Sequence, residues 1–363
     1  MSPLDVFSLN HGAARRIYYL GDGLACYGNK VTIICVLGRE ERHRRVGKTE
    51  NNAKMIGIPF TQLILLFPIV LKYLVHADIV QLEFPFLSPL IPFFKILRKP
   101  IILDEHGVEV YIKRELNQIL ERRLSKVEYI IILLLEWLAV KASSVVFTCS
   151  DYDAKKLIEK YRVASNKLVT IPNGVNCDFL EYTNPNRYDK PSIVFLGNFD
   201  NAANVYAAKV ILNEIIPFLR DKNFIFVFVG RNPPQWLVKN KIKNCVKVYG
   251  NVRDVRPYLA GADVAIAPIY HGSGTRIKIL EYMALSKPIV STSKGAEGLD
   301  VEDGKHMLLR NTPEEFAEAI IDLLSNKKLA TQIGKNGQKL AMEKYLWKNI
   351  VRKVIKVYED LLN

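Results

Sequence analysis

The sequence predicts an α/β protein of two doubly wound, Rossmann-like domains, each built on a parallel sheet. Three observations carry that reading. The chain has 363 residues, about twice a usual domain length. Apolar residues make up 49% and charged residues 24%, a globular balance that excludes disorder, collagen-like repetition and a disulfide-stapled miniature. Short runs rich in β-branched residues alternate with helical patterns from end to end, the pattern of βαβ units.

In the first half, strands are expected at residues 4–9 (LDVFSL), 31–37 (VTIICVL), 78–83 (DIVQLE), 100–106 (PIILDEH), 144–149 (SVVFTC) and 167–172 (KLVTIP). Helical patterns fill the gaps. The apolar stretches 60–75 and 129–140 fall short of the ~20 residues of a bilayer span and are interrupted by Lys72 and Glu136. Buried helices are the reading there, with in-plane membrane contact second. The basic run at residues 39–48 has no aromatic residue to stack on bases and reads as a solvated loop. Ser150 and Asp153 form a capping box that opens a helix over 151–162.

Residues 182–191 (YTNPNRYDKP) are polar, proline-bearing and without apolar period, so the inter-domain linker is placed there. Residues 1–181 then form the first domain and 192–343 the second. In the second, strands are expected at 193–197, 224–230, 246–250, 263–269 and 288–293, and helices near 204–219, 276–285 and 313–326. Thr312, Pro313 and Glu315 announce the last helix as cap, first-turn proline and box partner. Residues 344–363 repeat apolar side chains at helical spacing, and their helix is expected to pack back on the first domain.

Lysine and arginine number 51 against 37 acidic residues, a net charge of +14 that favours anionic partners such as nucleic acid, acidic lipid or phosphorylated small molecules. The excess is spread through both halves, so no basic tail is present. Cys26, Cys35, Cys149, Cys177 and Cys245 lie scattered without CxxC spacing, which suggests neither a zinc clip nor a disulfide framework and fits a reducing compartment. No signal-peptide pattern opens the sequence, since Asp5 comes early. The histidines never pair at ligand spacing, and capping explains the DxD of Asp151 and Asp153, so no metal site is expected. Gly47, Lys48 and Thr49 resemble the end of a phosphate loop, but Arg42 stands where that motif needs glycine. Gly21, Gly23 and Gly28 lack the dinucleotide-binding spacing.

The informative segment is residues 269–299, IYHGSGTRIKILEYMALSKPIVSTSKGAEGL. A strand ends, the turn Gly272, Ser273, Gly274 follows, and a helix starts whose first turn carries Arg276 and Lys278. Open backbone amides, the positive end of a helix dipole and two cations together suit a diphosphate. Glu281, one turn on, is placed to accept both hydroxyls of a ribose. A merely solvated helix face would not need the adjoining glycines.

This segment closely resembles the nucleotide-sugar motif of family 4 glycosyltransferases, retaining enzymes of the GT-B fold. The segments GAARR (12–16), IPNGV (171–175), FVGRNPP (228–234) and YGNVRDVRPYLAGADVAIAPI (249–269) are similar to further family segments and occur in the family's order. The resemblance implies two sheet domains facing a central cleft that holds the donor. Glu281 would bind the ribose, and Gly274, Thr275, Arg276 and Lys278 would hold the diphosphate and neutralise the leaving group. The backbone at Gly250, Asn251 and Val252 would recognise the base, with Gly12, Asn198, Gly272 and Ser273 completing the donor side. His106, in DEHG, matches the family's active-site histidine, so His106, Arg276, Lys278 and Glu281 are the catalytic candidates. Arg15, Arg16, Asp104 and Glu105 are the candidates on the acceptor side.

Two departures stand out. Ser273 occupies the position of a family glutamate, and the family's arginine and lysine after the first donor-domain strand are absent. There GNFDNAANVYAAK supplies Asn198, Asn204 and Lys209. The implied activity is transfer of a sugar from a nucleoside diphosphate sugar to an acceptor hydroxyl with retention, needing no metal or other cofactor. The implied acceptor is a glycan or lipid-linked glycan, not a nucleic acid, and the implied location is the cytoplasm with peripheral contact to an anionic membrane face. A nucleotide-sugar epimerase of the same fold and an inactive nucleotide-sugar-binding partner remain as alternatives.

Overall fold

The computed structural model describes residues 1–7, 9, 12–37, 43–59, 66–112, 125–186, 188–219, 223–239, 245–272 and 274–363. Among these, residues 1–112, 125–173 and 347–363 form one compact unit and 174–346 another.

The first unit contains the strands β1 (Thr32–Val36), β2 (Arg45–Lys48), β3 (Lys54–Ile58), β4 (Val80–Glu83), β5 (Ile101–Glu105), β6 (Val145–Thr148) and β7 (Leu168–Thr170). Strands β4 to β7 pair in sequence order, all parallel. Strand β1 pairs with β3 in parallel, and β2 closes that edge antiparallel on β3. Residues 45–48, expected in a loop, are therefore an edge strand, and the exposed Arg45 and Lys48 at its ends guard that edge.

Met1 and Ser2 join the two strand groups. The Ser2 amide donates to Ile34 O, Val36 N donates to Ser2 O, and Glu83 N donates to Met1 O. The expected first strand at residues 4–9 is thus displaced toward the amino terminus. The cause is local: Asp5 Oδ1 accepts a bond from Phe7 N at 2.9 Å, a side-chain contact that competes with extended pairing.

The helix Trp347–Leu362 belongs to this first unit. It buries Trp347, Ile350, Val351 and Val354 against Leu20, Leu24, Ile102, Phe147 and Ile171, each fully covered side chain contributing roughly 1.5–3 kcal/mol. Gly23 allows the approach, because a Cβ there would stand 2.5 Å from Val351 Cγ2. The GDG pattern in the helix Gly12–Cys26 therefore serves packing between helices.

The second unit contains β8 (Ser192–Asn198), β9 (Ile225–Arg231), β10 (Val246–Gly250), β11 (Val264–Ala267), β12 (Ile289–Ser291) and β13 (Leu308–Leu309). They form one parallel sheet in the order β10-β9-β8-β11-β12-β13. Strand order reverses between β8 and β11, which is where doubly wound sheets open a ligand crevice beyond their carboxyl ends. The helix expected over 204–219 spans Ala202–Val210, then widens over Ile211–Ile215 and tightens over Ile216–Leu219. Pro217 has no amide hydrogen to continue the ladder, so the turns there change pitch. Thr312 forms the expected capping box with Glu315.

The linker lies elsewhere than residues 182–191. Val175 N donates to Tyr345 O, Asn186 N to Pro257 O, and Tyr188 Oη to Tyr258 O at 3.2 Å. Those bonds tie residues 174–191 to the second unit, and the chain changes units at Asn173/Gly174 and again at Leu346/Trp347. Polarity and proline marked an irregular segment, but not a loose one.

Candidate functional site

In the first unit, parallel pairing sets Glu83 beside Asp104 at the carboxyl ends of β4 and β5. His106 follows β5 directly. Its Nε2 lies 2.8 Å from Glu83 Oε2, and the Phe84 ring stacks on the imidazole with centroids 4.3 Å apart. Phe84 adopts φ 74°, strained backbone for a bulky residue that is tolerated where surroundings over-determine it. Burial opposes ionisation of Glu83, but the His106 hydrogen bond and charge outweigh it and hold the carboxyl below its ordinary range. Glu83 and Phe84 escaped sequence reasoning; the available signal was that QLE and LDE end neighbouring parallel strands.

Three acceptor-side candidates are corrected. Arg16 and Asp104 are fully buried and bind each other through two bonds of 2.9 Å. Arg16 also donates to Pro172 O at 2.9 Å and lies 3.4 Å from Asn173 Oδ1. They pin the helix Gly12–Cys26 to β5 and to the end of the first unit, and neither faces solvent. Glu105 is fully buried too, its two oxygens without a hydrogen-bond partner among the described residues. Burial, then Glu136 and Glu109, push its pKa well above the carboxylate range, and its place in the interior keeps it from solvent. Arg15 is half-buried and donates to Leu9 O at 3.3 Å. Gly12 is exposed at the start of its helix.

Glu83, Asp104 and His106 place ligand-type atoms within 4.8 Å of one another. Arg16 already holds both oxygens of Asp104, and that cation beside the trio opposes a second positive charge. The donor set therefore fits a hydrogen-bonded histidine better than a metal.

In the second unit, the turn after β11 leads into the helix Ile277–Ala284. Gly272 and Gly274 have φ of 98° and 78°, a left-handed backbone that favours glycine. Ser273 between them lies outside the described residues. Arg276, expected on the diphosphate, is folded back on this turn: Nη1 donates to Gly274 O at 2.6 Å, and Nη2 to Gly272 O at 2.7 Å and His271 O at 3.3 Å. It braces the turn's shape. Thr275 and Glu281 are buried, and the next residue, Tyr282, accepts a bond from Leu196 N at 2.6 Å, tying the helix to β8.

Lys278 crosses the switch point between β11 and β8. Its Nζ donates to Asn204 Oδ1 at 2.7 Å and sits 4.2 Å from the centre of the Phe195 ring. Asn204 in turn donates to Asn198 O at 2.7 Å. Desolvation first, then the nearby Arg276, lower the Lys278 pKa to about 7. Asn204, offered by the sequence in place of the missing cations, thus becomes the partner of the remaining one. At the ends of β9 and β10, Asn251 has φ 55°, and its Oδ1 accepts from Asn232 N at 2.9 Å. Gly250 lies against Pro233, and Val252 packs on the core. Asn198, Gly250, Asn251, Val252 and the turn from Gly272 to Lys278 thus gather at the carboxyl edge of one sheet.

Two Rossmann-like units, the second carrying this glycine turn with its helix, are the parts of a GT-B fold. The family model for Glycosyltransferase Family 4 matches residues 10–179, and that for glycosyl transferases group 1 matches residues 190–326. The chain belongs to glycosyltransferase family 4. It is 28% identical over 232 residues to an uncharacterized glycosyltransferase of Methanocaldococcus jannaschii, covering 61% of each chain. It is 22% identical over 250 residues to a probable sucrose-phosphate synthase of Thermosipho melanesiensis, covering 62% of this chain. The matched stretches span 61% and 56% of those relatives' own lengths. Among solved structures, sucrose-phosphate synthase of Thermosynechococcus elongatus superposes with a TM-score of 0.75 at 17% identity, over 96% of this chain and 93% of that one. An Anabaena protein in complex with UDP gives 0.71 at 15% identity, over 94% and 95%.

Proposed function

We propose that this glycosyltransferase moves a sugar from a nucleoside diphosphate sugar to a hydroxyl of a glycan or lipid-linked glycan, with retention at the anomeric carbon. The observation that carries the reading is Lys278, a half-buried residue whose ammonium contacts an amide oxygen and an aromatic face. The desolvation of this ammonium outweighs the attraction of Glu281, and a diphosphate at the glycine turn would add the negative charge that favours it. The related structures crystallised with UDP and UDP-glucose support the same donor class.

As the glycosidic bond breaks, negative charge grows on the departing β-phosphate. Lys278 and the amides at the start of the helix Ile277–Ala284 stabilise that charge more than the ground state, which is what accelerates transfer. No metal is required for this step. Arg276 keeps the turn open, Glu281 takes the ribose hydroxyls, and the residues at Gly250, Asn251 and Val252 take the base. In the first unit, His106 is the group that touches substrate, and Glu83 is its positioning residue. The enzyme works on the cytoplasmic side, in polysaccharide or glycoconjugate synthesis, with peripheral contact to the membrane.

Thermal unfolding against UDP, GDP, ADP and their sugars tests the donor class. One nucleotide at about a hundred times its Kd should stabilise the protein by about 2.7 kcal/mol, and its labelled sugar should be transferred or slowly hydrolysed. Stabilisation by none of them sinks the proposal. Isomerised donor without acceptor identifies an epimerase, and binding without turnover an inactive partner. With the donor known, Glu83→Gln should lower kcat by about a hundredfold while KM for the donor changes little. A parallel rise in KM, or unchanged kcat, would show that the Glu83–His106 bond is structural only.

A further inference from the structure

We propose that one face of the helix Lys126–Ala142 docks on an anionic lipid surface, which rests on the peripheral-membrane part of the reading above and not on the donor chemistry. Val127, Ile130, Ile131, Leu134 and Trp137 recur at helical spacing and are 65%, 53%, 50%, 58% and 48% exposed. The opposite face, with Glu136, Ala139 and Val140, is buried. The helix is apolar on both sides, which is why the sequence reads as a buried helix first and an in-plane membrane contact second; the fold covers only one side.

The helix has two carboxylates, an exposed one in its first turn and a buried one. Glu128 is engaged in the Ser125 capping box, and Glu136 turns inward to accept from Glu109 N at 2.6 Å. Phe93 and Ile96, on the helix Ile91–Ile96, add exposed apolar surface. That helix adjoins the turn Pro85–Leu90, which packs on Lys126–Ala142. The apolar band ends in positive charge: Lys167 Nζ donates to Lys141 O at 2.9 Å. Burial, then Lys95 and Lys141, lower the Lys167 pKa.

An apolar band with an amphipathic tryptophan and a lysine cluster is the composition of an interfacial anchor. Monomeric proteins seldom leave large contiguous apolar patches in water. A bilayer accepts these side chains without matching holes and offers phosphates to the lysines. A second copy, with its own net charge of +14, would bring like charge to the same rim.

Flotation of the full chain with phosphatidylcholine vesicles, with and without phosphatidylglycerol, tests this. The protein should float with the anionic vesicles only. The Ile131→Asp, Leu134→Asp double variant should lose at least about tenfold in binding, and the Lys95→Gln, Lys141→Gln variant roughly thirtyfold. Both changes lie on solvent-facing positions, and an unchanged melting temperature checks the fold. Equal flotation of the apolar variant, no flotation of the parent, or a dimer in light scattering that the apolar variant dissolves would each overturn the proposal. A parent that floats yet is stabilised by no nucleotide would sink the donor reading and leave this one standing.

Discussion

Lys278→Met should weaken nucleotide diphosphate binding by about 1.5–3 kcal/mol, the worth of a hydrogen bond to a charged group, or roughly tenfold to a hundredfold in Kd. The same change should leave the protein at least as stable as the parent. An apolar side chain of similar length can lie on Phe195 without the desolvation that the ammonium suffers. Opposite signs for binding and stability are the mark of a charge placed for a ligand.

The pH dependence follows from the depressed pKa of about 7. Between that value and the ordinary lysine pKa near 10.4, the unfolded chain binds one more proton than the folded one at this site. Stability should therefore rise with pH across that window, and the rise should be absent in Lys278→Met. Nucleotide binding requires the charged form, so above pH 7 the complex must take up a proton and affinity should fall as pH climbs. Calorimetry in buffers of different ionisation enthalpy measures that proton. Binding without proton uptake at pH 8, or a methionine variant that binds as tightly as the parent, would remove Lys278 from the donor site.

Arg16→Ala should destabilise the first unit by about 3–5 kcal/mol, because it leaves the fully buried Asp104 carboxylate without its counter-charge. For a unit of this size that corresponds to a fall of roughly 10–15 °C in Tm. Burial opposes the Arg16 charge, but the Asp104 carboxylate more than offsets it and raises the guanidinium above its ordinary pKa. Replacing both partners, Arg16→Met with Asp104→Leu, should recover much of the loss, since an apolar pair needs no counter-ions. A single variant that melts with the parent would show that water reaches the site and that the pair is not buried in solution. Nucleotide-induced stabilisation should survive in the double variant, whose substitutions lie in a different unit from the glycine turn.

Most strands were legible because parallel strands covered on both faces read as short apolar runs. Residues 101–105 and 264–267 are buried at every position, and both were expected. Strands β2 and β3 were not expected, since RVGK and KMIGI are short and interrupted by glycine. The first strand was misplaced because a local Asp5 to Phe7 bond overrode a plausible β pattern. Residues 129–140 read from composition as a buried helix, with in-plane membrane contact second, because composition does not count how many faces the fold can cover.

By itself, then, the sequence determined the class of fold, the glycine turn with its helix start, and the residue types that a sugar-nucleotide site needs, because those are encoded within single segments. Only tertiary structure decided which charges meet. Arg16 finds Asp104 across 88 residues, Lys278 finds Asn204 across 74, and His106 finds Glu83 across 23. The physical reason is that burial and charge pairing depend on what the folded chain brings alongside a group. The same carboxylate or ammonium is a ligand contact in one neighbourhood and an interior strut in another.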